Sequence, residues 1–70
     1  MSAVAAAPHT LRIAVRLLQA ITHALQLTDE LEDTAYREAE IPFVFAAREV
    51  RKHLEESYTI LEKFVKLNRS

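Results

Sequence analysis

Between Thr10 and Leu27 the polar side chains recur along one narrow line. Set around a helix at about 100° per residue, Arg12, Arg16, Gln19, His23 and Gln26 form a single stripe with spacings of four, three, four and three. Apart from Thr10 and Thr22, the rest of the circumference is apolar or small: Leu11, Ile13, Ala14, Val15, Leu17, Leu18, Ala20, Ile21, Ala24, Leu25 and Leu27. A helix on the surface of a monomer needs an apolar arc only a little wider than ~100°. This one needs neighbours on at least two sides.

The pattern predicts a helix that begins near Pro8, which suits a first helical position because its missing N–H is not needed there. Thr10 is an alternative N-cap. At Thr28-Asp29-Glu30 a break is conceivable, with Asp29 and Glu32 as the capping box of a new helix. Leu31, Ala35 and Ala39 nevertheless continue the row of Leu27, with Tyr36 on the same side, and no Gly, Pro or Asn marks an exit. The reading is one continuous helix to about residue 39, with three helices as the alternative.

Pro42 is the strongest punctuation in the chain. Proline disfavours helical geometry at the residue before it, here Ile41, and can itself open a helix. The turn is therefore expected at 39–42, followed by a second helix from Pro42 to about Leu67. Its apolar seam reads Phe43, Ala47, Val50, Leu54, Ser57, Leu61, Phe64, Asn68, widened by Tyr58 and Val65. The alternating spacing of four and three is that of a heptad repeat. Phe45, Ile60 and Leu67 fall off this seam and are candidates for a second contact surface.

Two helices of about 30 and 26 residues would span about 45 and 39 Å. Similar lengths and a short turn imply an all-α antiparallel helical hairpin over residues 9–68, behind a frayed tail at 1–8. One hairpin covers one stripe per helix, so the surplus apolar surface predicts self-association. The simplest closed solution is a two-fold dimer forming a four-helix bundle. Leu11, Val15, Leu18, Ile21, Leu25, Val50, Leu54 and Leu61 are the residues expected to drive it.

Composition narrows the class. Seventy residues make one domain at most. The absence of cysteine excludes disulfides and thiolate metal sites, and the absence of glycine argues against the tight turns of a small β-fold. No apolar run approaches the ~20 residues that span a bilayer. The segment MSAVAAAP lacks the basic n-region of a secretory signal, which leaves a cytoplasmic location as the expectation. Residues 1–28, with two arginines and no acid, also resemble a transit peptide, but removing them would leave too little chain to fold.

The net charge of −1 hides a segregation. Residues 29–40 hold Asp29, Glu30, Glu32, Asp33, Glu38 and Glu40 against Arg37 alone. In one long helix these acids oppose the macrodipole near the C-terminus, which counts against the continuous reading. Functionally, Asp29, Glu30, Glu32 and Asp33 are candidate docking residues for a basic partner, and Arg12, Arg16 and His23 form a second candidate recognition strip. Reversing Glu32 and Asp33 to lysine is expected to leave the fold intact.

Candidate chemistry is sparse. Glu49 and His53 share a helix face, as do His53 and Glu56, but no Glu-x-x-His motif occurs, and no metal or cofactor is expected. His53 and Ser57 lie one turn apart without an orienting carboxylate or a pocket, so no catalytic residue is assigned. Arg48, Arg51, Lys52 and His53 concentrate positive charge. Arg51–Glu55 and Lys52–Glu56 can pair at i, i+4, and nucleic acid is not the expected ligand. The sequence thus points to a non-enzymatic protein–protein interaction module, a small homodimeric helical regulator or adaptor that binds and modulates a partner protein. A nucleic-acid-associated regulator using residues 48–53 is one alternative, and a subunit of a larger helical hetero-oligomer is another.

Overall fold

The structure, a computed structural model, describes residues 7–69. Two helices, α1 (Pro8–Arg37) and α2 (Ile41–Arg69), pack against each other as a hairpin. Of the tail expected at 1–8, residues 1–6 lie outside the described residues, and Pro8 is already helical. Ala7 is the N-cap in an extended conformation with no side-chain hydrogen bond, so Thr10 does not cap the helix. The chain runs through Thr28-Asp29-Glu30 without a break.

The two helices meet along a seven-residue repeat. On α1 the seam is Leu11, Ala14, Leu18, Ile21, Leu25, Thr28, Glu32 and Ala35; on α2 it is Val44, Ala47, Arg51, Leu54, Tyr58, Leu61, Val65 and Asn68. Every one of these positions is buried or half-buried. Thr28 is buried, and its hydroxyl donates to the Leu25 carbonyl at 2.7 Å, so the seam carries no orphaned hydroxyl there.

The phase of α2 differs from the one read in the sequence. Ala47, Leu54, Leu61 and Asn68 do enter the seam, but Phe43, Val50, Ser57 and Phe64 are exposed. Their places are taken by Val44, Arg51, Tyr58 and Val65. The physical reason is Arg51. Its guanidinium reaches Glu32 across the seam and lies 3.2 Å from Asp29, so a charged residue occupies a position that pattern reading assigns to solvent.

The turn closes by backbone hydrogen bonds alone. Glu40 N donates to Ala35 O at 2.8 Å and Ala39 N to Tyr36 O at 3.2 Å, with Ala39 at φ 58°. This is the Schellman arrangement with alanine where glycine is usual. The Glu40 carbonyl then accepts from Val44 N at 3.3 Å, opening α2 one residue before the expected Pro42. Pro42 stands second in α2, where an N–H would have no intrahelical acceptor anyway.

The resulting rod measures 54 × 18 × 14 Å, with a radius of gyration of 15.9 Å. A compact domain of 70 residues would have about 11 Å. Among the described residues the buried apolar side chains are Ile21, Ala35, Val44, Ala47 and Val65, two of them alanines. The hairpin therefore has a seam but almost no core.

Candidate interaction surface

The seam divides the remaining surface of the hairpin into two unlike faces. One residue before each seam position, a second repeat runs down α1: Thr10, Ile13, Leu17, Ala20, Ala24, Leu27, Leu31 and Thr34. The equivalent repeat on α2 is Phe43, Ala46, Val50, His53, Ser57, Ile60, Phe64 and Leu67. A step of one residue back turns each helix by about 100°. Because the helices are antiparallel, these turns carry both stripes to the same side of the hairpin. They form one open face, apolar along its middle except for His53 and Ser57, with Thr10 and Thr34 at its α1 ends. Phe43 is 55 % exposed, Ile60 61 % and Leu67 63 %.

The opposite face is charged. Arg12, Gln19, Gln26, Asp29 and Asp33 line it from α1; Arg48, Lys52, Glu55, Thr59 and Glu62 line it from α2. Three large apolar residues also lie there, and they gather by the turn: Tyr36, Ile41 and Phe45, with the Arg48 guanidinium 5.9 Å from the centre of the Phe45 ring.

The acidic segment is largely engaged within the chain. Glu32, about one-fifth exposed, accepts from Arg48 Nε at 2.7 Å and pairs with Arg51. Asp29 lies 3.2 Å from Arg51 Nε, and Asp33 accepts from Arg37 at 2.8 Å. Cations of α2 and of the last turn of α1 thus offset the unfavourable placement of acids near a helix C-terminus. Reversing Glu32 to lysine would set a third cation against Arg48 and Arg51, a stability cost that the sequence pattern does not reveal. Glu30 remains exposed and enters no ion pair among the described residues. The same bridges occupy Arg48 and Arg51, the centre of the basic segment. His53 sits between Glu49 at 3.4 Å and Glu56 at 3.5 Å.

Of the residues expected to drive self-association, Leu11, Leu18, Ile21, Leu25, Leu54 and Leu61 lie in the hairpin's own seam and Val15 is half-buried beside it. Val50 lies on the open face. The stripe on α1 that the sequence reading did not separate, Ile13 to Leu31, has its own signal: spacings of four, three, four, three and four, parallel to the seam repeat. Arg12 lies on the charged face, while Arg16 and His23 point away from the seam, at the outer edge.

The concavities along Pro8–Gln19, Asp29–Tyr36 and Lys52–Ile60 are each lined by a single helix. Among the described residues no group of three or more His, Asp or Glu is placed to hold a metal ion, and no helix is long and apolar enough to cross a membrane. No family model, curated protein or solved structure matches the chain.

Proposed function

We propose that the chain is a non-enzymatic interaction module: a cytoplasmic homodimeric four-helix bundle that acts as a regulator or adaptor by binding a partner protein. The observation that carries the reading is the open face, a two-helix-wide apolar surface built by a repeat that the hairpin itself does not use.

Area arithmetic supports a second hairpin as its cover. The chain exposes 5588 Å². A compact monomer of its 8.0 kDa mass would expose about 4,450 Å². The excess is on the order of 1,100 Å², against about 800 Å² removed from each partner in a standard interface. A face of 54 by 18 Å is large enough to supply it. A second copy matches its length, its two-helix width and its apolar character.

In such a dimer the charged faces remain outside. Asp29, Glu32 and Asp33 are already paired, so the partner-binding role falls to the turn end, where Tyr36, Ile41 and Phe45 lie near Glu38, Glu40 and Arg48. Aromatic residues and arginine dominate binding hot spots.

Sedimentation equilibrium tests the assembly. The expected mass is twice 8.0 kDa, reduced to that of one chain by Phe64→Asp. A wild-type chain that stays folded at the mass of one chain removes the proposal. A chain that folds only with a different, copurifying protein replaces it with the hetero-oligomer reading.

A further inference from the structure

Two copies meeting through the open face can be related in two ways. This inference rests on the dimer proposed above. The two-fold axis lies in the interface and runs either along the helices or across them. Along the helices, each α1 covers the partner's α2 and both turns lie at one end. Across the helices, α1 covers the partner's α1, α2 covers its α2, and the turns lie at opposite ends. Neighbouring helices are antiparallel in both, so the apolar repeat does not choose between them.

The charges at the rim do choose. Beyond the open face, at its outer edges, α1 carries Arg16 and Glu30 and α2 carries Glu49 and Lys63, all exposed. Among the described residues Arg16, Glu30 and Lys63 enter no ion pair, and Glu49 contacts His53. The Arg48–Glu32 and Arg51–Asp29 bridges set the level of one helix against the other. Counting outward from them, Glu30 stands level with Glu49, His23 with Glu56, and Arg16 with Lys63.

An axis along the helices sets Lys63 of the partner subunit beside Arg16 and Glu49 of the partner subunit beside Glu30. Four like-charge encounters follow, relieved only where His23 meets the partner's Glu56. An axis across the helices, passing at the level of His23 and Glu56, reverses the order of the rim. Arg16 then meets the partner's Glu30, and Glu49 meets the partner's Lys63, giving four opposite-charge pairs. At the axis the two copies of Glu56 come level, each with His53 at 3.5 Å within its own chain. The small residues of the open face, Ala20, Ala24 and Ser57, lie near the same level, where they let the helices approach.

We propose that the two copies pair about an axis crossing the helices, α1 on α1 and α2 on α2, with the rim charges selecting this arrangement and the turns at opposite ends. Each bundle then presents its two Tyr36–Ile41–Phe45 clusters at opposite poles.

The chain has no cysteine, so Glu38→Cys in the turn gives a single site for a nitroxide spin label. Double electron–electron resonance on this variant is expected to give a distance of about 45 Å, the length of a 30-residue helix. A distance below about 30 Å, the reach across neighbouring helices spaced ~10 Å apart, overturns the crossed axis and leaves the dimer standing. Absence of any dipolar modulation at high concentration overturns both. Charge exchange provides a second measurement. With the crossed axis, Arg16→Glu raises the dimer Kd about tenfold, and adding Glu30→Arg restores it. Tighter association of Arg16→Glu alone would favour the other axis, since it would face the partner's Lys63.

Discussion

Ala39 and Arg51 do most to set how this hairpin turns and how its helices line up. Ala39 adopts φ 58°, a region that disfavours any residue with a Cβ. Ala39→Gly should raise stability by about 0.5–1 kcal/mol, the relief at positive φ exceeding the entropy glycine gains on unfolding. A urea titration that shows no gain would mean the turn is not held in the Schellman form. Arg51 is a charged residue at a seam position, about one-quarter exposed. It fixes the level of the helices because only one alignment brings it to Glu32 and Asp29 together. Arg51→Ala leaves Glu32 partly buried with Arg48 alone and should cost about 1–3 kcal/mol, read from the same titrations. Replacing Arg51 and Glu32 both by leucine should recover most of the loss, because matched apolar groups need no bridge.

The two helices were largely legible in the sequence, and the reason is composition. With no glycine and two prolines, little in the chain can interrupt a helix, so Pro8 and Pro42 mark its two starts to within a residue. The phase of α2 was not legible in the same way. The stripe read there, from Phe43 to Asn68, straddles two surfaces in the structure: Ala47, Leu54, Leu61 and Asn68 face α1, while Phe43, Val50, Ser57 and Phe64 face outward beside them. A helix in a four-helix bundle directs such an intermediate strip toward the bundle centre, between its two neighbours. A pattern in one sequence reports the mean direction of burial, not the partner on each side. Adjacent leucines of α1 separate the two surfaces. Leu18 lies in the seam and Leu17 on the open face. Leu18→Asp puts an unpaired charge between the helices and should abolish the circular-dichroism helix signal at every concentration. Leu17→Asp should lose assembly, with the helix signal recovered in sucrose, which strengthens apolar burial. Equal behaviour of the two variants would mean that the faces are not distinct.

At the scale of the whole molecule, the proposed dimer makes stability and assembly one quantity. A seam with five buried apolar residues, two of them alanines, offers little burial against the conformational entropy of ordering two long helices. Small chains in this position depend on association when they lack disulfides or metals. If the open face is covered by a second copy, unfolding releases two chains from one bundle, and mass action makes the melting temperature depend on concentration. The size of the effect follows from general values. A tenfold rise in concentration adds about 1.4 kcal/mol to the dimer. The unfolding entropy of two 70-residue chains is about 0.3 kcal/mol/K at ~2.1 cal/mol/K per residue. The melting temperature should therefore climb by about 5 °C for each tenfold rise, and calorimetric scans across a hundredfold range resolve that slope. A flat response from a folded chain would place its stability within the single hairpin, and the open face would then have no second copy to cover it.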